Sequence, residues 1–345
     1  MRKHVLAILI TLLLICFSGC SLIEGGSTPN NPDIFSVGDS IIIENDYEIT
    51  MKSTEFTQKV IPADPSTFYS TFEVNPENTF FHAVCEIKNL RSSKETADKI
   101  MAVNLLYNNQ TGYLCSAAVE RNGDFILSSD ATILPLATET VHYLAEIPKD
   151  LANVRQSIDI QIVVNNHTLT CPGNSPAGNS TILVNLGSLL EENTTWQTYS
   201  AIALEQPIED AGFGKLSLSS TRFTGSVEPA NKGSLYAVSG TKEPDRIYLD
   251  TEFIFESLSS QSMEAQKALQ AKIIYDNKYE YDSFVLVERG NNTDLLDAGM
   301  VTIDPQATET LHHVFELPQD LENSNRSLVL LVNYNGKDYY YQIRK

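Results

Sequence analysis

The chain repeats itself. From Pro135 to Leu151 it reads PLATETVHYLAEIPKDL, and 170 positions later, from Pro305 to Leu321, it reads PQATETLHHVFELPQDL, with ten of seventeen positions identical. Shorter matches keep the register with small insertions: Ser53 to Thr57 (STEFT) against Ser220 to Thr224 (STRFT), and Val119 to Arg121 against Val287 to Arg289. Tyr107 and Tyr113 likewise pair with Tyr275 and Tyr281. Solenoid units run about 20 to 50 residues, so two copies at this longer period mean tandem domains, each large enough for its own core.

Within each copy apolar residues alternate, as in Phe81, Ala83, Cys85 and Ile87, or Leu311, His313, Phe315 and Leu317. That is the period of a strand with one buried face. Helical periodicity is largely absent, and Asn122-Gly123 and Asn335-Gly336 are dipeptides that supply the positive φ angles of tight hairpins. The expected fold is all-β: two tandem immunoglobulin-like antiparallel β-sandwiches of about seven or eight strands each. Residues 37–171 form the first repeat and 213–345 the second, with a connector over 172–212 that holds the single tryptophan, Trp196. The apolar stretch Thr181 to Leu190 predicts a strand completing the first sandwich; a short helix around Ser188 to Trp196 is the alternative.

The N-terminus carries an address. Arg2 and Lys3 precede an apolar run from Val5 to Phe17, 13 residues, too short for a hydrocarbon core that needs about 20. Phe17, Ser18, Gly19 and Cys20 resemble the bacterial lipobox, although the family usually has Leu, Val or Ile where Phe17 stands. The resemblance implies a signal peptide over residues 1–19 that is removed, with diacylglycerol and a further acyl chain such as palmitate on Cys20. Two or more chains, at about 0.8 kcal/mol per buried methylene, would hold the protein stably on the extracytoplasmic face of the cell membrane. Residues 20–36, with Gly25, Gly26, Pro29 and Pro32, read as a flexible tether.

Loss of Arg2 and Lys3 would leave 22 basic against 44 acidic residues, moving the net charge from −20 to −22. Such a surface repels phosphate backbones, so no nucleic-acid partner is expected. Cys85, Cys115 and Cys171 remain, an odd number that indicates no disulfide framework and permits one bridge.

The segment Val37-Gly38-Asp39-Ser40-Ile41-Ile42-Ile43, followed by Asp46 to Met51, resembles the opening of the telokin-like, immunoglobulin-fold domains of Gram-positive surface lipoproteins. Phe80 to Asn89 and Leu134 to Leu151 resemble later elements of that family. Ala137 and Ala307 replace its usual turn Gly, and Ser257 replaces its strand-ending Asn in the second copy. The resemblance implies a fold and a surface location, and no catalytic residues.

Chemical motifs are sparse. Gly38-Asp39-Ser40 could open an esterase, but the required late Asp-x-x-His is missing, and Glu139/His142 and Glu309/His312 lie inside the repeated strand. His142 and His312 are expected to point outward as surface histidines on a solvated sheet face. Glu120-Arg121 and Glu288-Arg289 read as solvated strand-end charges, and Tyr339-Tyr340-Tyr341 should place two rings on one face and one on the other. No His-Glu-x-x-His, Cys-x-x-Cys, EF-hand or phosphate loop occurs, so no metal, cofactor or catalytic residue is expected. The expected function is non-enzymatic: a membrane-anchored surface lipoprotein acting as a binding or structural module of the cell envelope, meeting an envelope protein or glycan. The rivals are an envelope hydrolase, which needs a carboxylate pair facing an inter-domain cleft, and a substrate-capture subunit of a transporter, which needs an aromatic pocket near Trp196.

Overall fold

The computed structural model describes residues 34–108, 111–153, 158–173, 175–185, 195–232, 238–241, 243–289 and 293–345. The expected signal peptide, Cys20 and the tether up to residue 33 lie outside them.

The first sandwich packs a seven-stranded sheet on a four-stranded one. Its strands are β1 (Ser40–Ile43), β2 (Tyr47–Thr57), β3 (Asn78–Asn89), β4 (Ala102–Tyr107), β5 (Thr111–Leu114), β6 (Ser116–Arg121), β7 (Asp124–Leu127), β8 (Thr138–Pro148), β9 (Ile158–Val164), β10 (His167–Pro172) and, from the connector, β11 (Thr181–Val184). The large sheet runs β7-β6-β8-β3-β2-β1-β11 and the small one β10-β9-β4-β5. The alternating residues point where their period predicts: Phe81, Ala83, Cys85 and Ile87 face Val141, Tyr143 and Ile160 in one core. The cysteines Cys85, Cys115 and Cys171 are all buried and free, so the bridge the count permitted is not formed.

The second sandwich repeats this plan with β12 (Ser200–Ala201), β13 (Ile208–Asp210), β14 (Gly214–Thr224), β15 (Arg246–Ser257), β16 (Gln270–Tyr275), β17 (Tyr279–Arg289), β18 (Asp294–Asp297), β19 (Thr308–Pro318), β20 (Leu328–Tyr334) and β21 (Lys337–Arg344). One difference matters. Strand β17 pairs with β16 up to Asp282 and with β19 from Ser283 onward, so a single strand crosses from one sheet to the other. The first copy divides that job between β5 and β6, with Cys115 at the break.

Among the described residues pairing is otherwise antiparallel, except where the connector adds β11 parallel to β1 and β12 parallel to β21, and where Ile34 makes a single parallel bridge to Thr170. The connector thus contributes β11 to the first sandwich and β12 and β13 to the second, and Thr195–Thr198 form a short 3₁₀ turn between β11 and β12. The last residues assigned to the tether are packed: Phe35 is 1 % exposed in the first core and its N–H donates to the Thr170 carbonyl.

Gly38-Asp39-Ser40 is a structural clasp. Gly38 has φ +100°, and a Cβ there would lie 2.2 Å from the Gly178 carbonyl oxygen. The buried Asp39 carboxylate accepts from the N–H groups of Ser36 and Ser180, both at 2.8 Å, tying strand β11 to the start of the domain.

The repeats dock through the repeated turn of the first copy. Leu134 and Leu136 pack against the second core, and Tyr281 Oη donates to the Pro135 carbonyl at 2.9 Å. The Glu280 N–H donates to the Ser92 carbonyl at 2.7 Å, and Arg246 Nη2 donates to Glu139 Oε1 at 2.8 Å.

Candidate functional site

In strand β2 the register slips between Met51 and Ser53, and in β14 between Leu218 and Ser220. One extra residue reverses which face the following side chains take. Phe56 therefore joins the core against Phe81, and Glu55 moves to the outer face opposite His82; Arg222 takes the same place opposite Asp250.

These bulges help assemble two polar rails. In the first sandwich Glu55 Oε1 meets His82 Nδ1, His82 Nε2 meets His142 Nδ1, and His142 Nε2 meets Glu120 Oε2, each at 2.9 Å. Glu120 Oε1 accepts from the Ala63 N–H at 2.7 Å. In the second, Arg222 donates to Asp250 Oδ2 at 3.0 Å, Asp250 Oδ1 accepts from His312 Nδ1 at 2.9 Å, and His312 Nε2 lies 3.4 Å from Glu288 Oε1. Glu288 accepts from the Ala230 N–H at 2.7 Å.

His142 and His312 do point away from the main core, but the expectation of solvated histidines fails: they are 4 % and 0 % exposed. The outer face carries its own cover, in which Val60, Phe72 and Phe125 pack on Leu144 in the first copy and Val227 and Leu295 on Val314 in the second. Three of the four strand-end charges, Glu120, Arg121 and Glu288, are sheltered as well, and Arg289 stays 37 % exposed. Glu120 and Glu288 belong to the rails, while Arg121 and Arg289 pair with Glu139 and Glu309 on the neighbouring strand.

The two histidines titrate in opposite directions. Burial, reinforced by His82, pushes His142 below the ordinary histidine range against the pull of Glu120. Burial also opposes charging of His312, but its hydrogen bond to Asp250 and the carboxylates of Asp250, Glu288 and Glu252 outweigh that cost and raise it.

A larger opening lies in the second sandwich, where β17 leaves one sheet for the other: a cleft of about 520 Å³. Leu269, Val285 and Leu331 supply apolar wall, and Ser283 and His313 line it between the sheets. Ser283 Oγ lies 3.2 Å from the Ala271 carbonyl and 2.9 Å from His313 Nδ1. A hydroxyl has one proton, so both contacts are met when Ser283 donates to Ala271 and His313 Nδ1–H donates to Ser283. His313 Nε2 then presents a lone pair and has no hydrogen-bond partner among the described residues. Burial, then the charge of His312, pushes His313 down to about 3, so the ring is neutral at physiological pH.

The first copy holds Cys115 and Tyr143 at the positions of Ser283 and His313, both within the apolar core. Sequence reasoning placed His313 on an inward strand face but did not single it out. The available signal was a polar ring in an apolar alternation whose duplicate is Tyr.

The other groups considered find structural roles. Trp196 is buried on Tyr340, Ile274 and Val329, and among the described residues of the connector only Tyr199 lines the cleft. Tyr339 and Tyr341 face the second core and Tyr340 the opposite side, as the alternation requires. Among the described residues no group of three or more His, Cys, Asp or Glu is placed to hold a metal ion. At the junction of the repeats, Glu139, Glu243 and Arg121 line a crevice of about 510 Å³.

No family model matches the chain, and no curated protein does. Among solved structures it is similar to an uncharacterized β-sandwich protein from Clostridium difficile 630, at 20 % identity and a TM-score of 0.40, covering 43 % of this chain and 95 % of that one. It is also similar to a conserved hypothetical protein from Bacillus anthracis, at 15 % identity and a TM-score of 0.27, covering 39 % of this chain and 94 % of that one.

Proposed function

We propose that this chain is a non-enzymatic binding module of the cell envelope, held at the extracytoplasmic membrane face by lipid on Cys20 and contacting its ligand in the cleft of the second sandwich. The carrying observation is the cleft itself, open where the sheets separate and bearing a polar pair that replaces Cys115 and Tyr143 of the first copy. Phe17 to Cys20 support the anchor, and the telokin-like resemblance supports the surface location.

The test has two arms. Cells expressing the chain are fed an alkyne fatty acid and fractionated: the reading expects label in the membrane-bound chain and neither label nor retention for Cys20→Ala. The fragment from Ser21 onward is then exposed to envelope extract. Saturable retention of a component that Gln270→Ala reduces supports the binding role; retention of nothing overturns it.

A second reading, an envelope hydrolase, rests on the junction crevice. Burial and the adjacent Glu139 raise the pKa of Glu243 against the charges of Arg121 and Arg246, and a carboxyl so raised beside a second carboxylate is the pairing of a general acid with a base. Turnover of labelled peptidoglycan that Glu243→Gln abolishes would favour it. Absence of turnover by the wild-type chain removes it.

A further inference from the structure

We propose that the cleft of the second sandwich takes a neutral, polyhydroxylated ligand, an oligosaccharide of two or three sugar units; this deepens the binding-module reading and rests on it. The volume, about 520 Å³, lies within the range of small-molecule sites and suits a short glycan.

Charge narrows the class. Among the described residues Lys272 is the one Lys or Arg lining the cleft, and it is already held by Glu280 at 2.6 Å with Asp282 at 4.0 Å, while Asp282 also pairs with Lys94 at 3.0 Å. A phosphate or carboxylate ligand would enter beside Glu280, Asp282 and Asp338, and the one cation among the described lining residues is already paired, a repulsive setting in a partly desolvated site.

The remaining polar groups ask for both donors and acceptors. His313 Nε2 offers only a lone pair. Asn333 spends its Nδ2 on Asp338 at 2.7 Å and keeps its carbonyl oxygen. Among the described residues the Gln270 amide and the Tyr199 hydroxyl, both lining the cleft, have no side-chain hydrogen bond. A hydroxyl group donates and accepts, so a ring bearing several can answer all of these at once, while its C–H face packs on Leu331 and Leu269.

The chain carries its own reporter. Its single tryptophan, Trp196, sits in a cluster with Tyr199 and Leu331, two residues of the cleft wall. The fragment from Ser21 onward is titrated with chitotriose, cellotriose and maltotriose, following Trp196 fluorescence and the heat of binding.

The proposal expects saturable binding of at least one sugar, weakened about tenfold or more by Gln270→Ala, whose side chain is exposed, and by Ser283→Ala, with thermal melting checked for both. Binding that neither variant weakens overturns the cleft assignment. If none of the sugars binds while envelope retention persists and Gln270→Ala abolishes it, the sugar class is wrong and the binding module stands. Absence of both sugar binding and retention overturns the two together.

Discussion

His142 and His312 occupy the same slot in two copies of one fold, turn Nε2 toward the equivalent glutamate, and shift in opposite directions. What differs is the residue on the other side: His82 beside His142, Asp250 beside His312. Proton counting shows the consequence. Three contacts link Glu55, His82, His142 and Glu120, and two neutral imidazoles bring only two protons, so the rail is complete only with a third. In the second copy Arg222 supplies the proton to Asp250 Oδ2, and His312 needs one proton, on Nδ1, to meet Asp250 Oδ1, while its Nε2 approaches Glu288 at 3.4 Å without a hydrogen bond. A duplicated backbone therefore preserves the geometry of a polar rail while two substitutions, Glu55 to Arg222 and His82 to Asp250 between the copies, invert its chemistry.

The largest effect expected from this contrast is acid loss of stability. His313 is held at about 3 in the fold, against about 6.5 when unfolded. A depressed histidine contributes stability that is present above 6.5 and lost as pH falls toward 3, on the order of 4 kcal/mol at the end of that window. His142, also depressed, adds loss of the same sign. His312 is raised, so its contribution is complete below 6.5 and disappears as pH climbs through its folded pKa. Urea denaturation across pH 3 to 8 should show a steep acid limb that His313→Gln flattens. In histidine NMR titrations, the His312 ring should titrate above the ordinary range and the His142 ring below it. Coincident midpoints for the two rings would break the comparison.

The repeated turn gives the second contrast. In the first copy Leu134 and Leu136 enter the partner sandwich, whereas the second copy has Asp304 and Gln306 there, both exposed. The docked end also recruits Arg246, 3 % exposed in its side chain, to Glu139, which Arg121 already holds at 2.8 Å. Removing Arg246 strips a buried carboxylate of one of its two guanidinium partners, at roughly 2–3 kcal/mol. Arg289, paired with Glu309 at the free end, is 37 % exposed, and its loss should cost under about 1 kcal/mol. Arg246→Ala and Arg289→Ala compared by chemical denaturation test this, and equal costs would refute it. Next in size, Leu134→Asp with Leu136→Gln gives the docked turn the residues of the free one. About 2 kcal/mol of half-buried apolar surface is lost, and a single unfolding transition should separate into two.

Much of this plan was legible beforehand. The alternation of Phe81, Ala83, Cys85 and Ile87 identified a core face, and the duplication announced two sandwiches. The outward direction of His142 and His312 was also correct. Their burial was not readable, because a two-residue period reports which face a side chain takes and not what covers that face; the covering segments around Val60 and Val227 are short and irregular. The pairing of Glu55 with His82 was hidden by the bulge at Met51/Ser53, which breaks the period at the point where it decides the partner. The cleft escaped because it depends on where β17 changes sheets, a property of pairing rather than of composition.

The smallest expected effect concerns Asn89 and Ser257, which close equivalent strands. Asn89 is fully buried, donates through Nδ2 to the carbonyls of Ser93 and Ile133 at 2.9 and 3.0 Å, and accepts from the Arg91 N–H at 2.9 Å. Ser257 is as deeply buried, but its shorter side chain leaves Oγ with no partner among the described residues, although its N–H still reaches the Ala307 carbonyl at 2.9 Å. The backbone frame therefore survives without the amide, and the cost lies in an unmet hydroxyl and an untied loop. Ser257→Asn should raise stability by about 1 kcal/mol, the net worth of a rebuilt hydrogen-bond set after side-chain ordering. A shift of the urea midpoint upward with unchanged slope is the expected result. A downward shift would mean that the second copy has closed the space the amide needs, so that the two strand ends differ in packing as well as in hydrogen bonding.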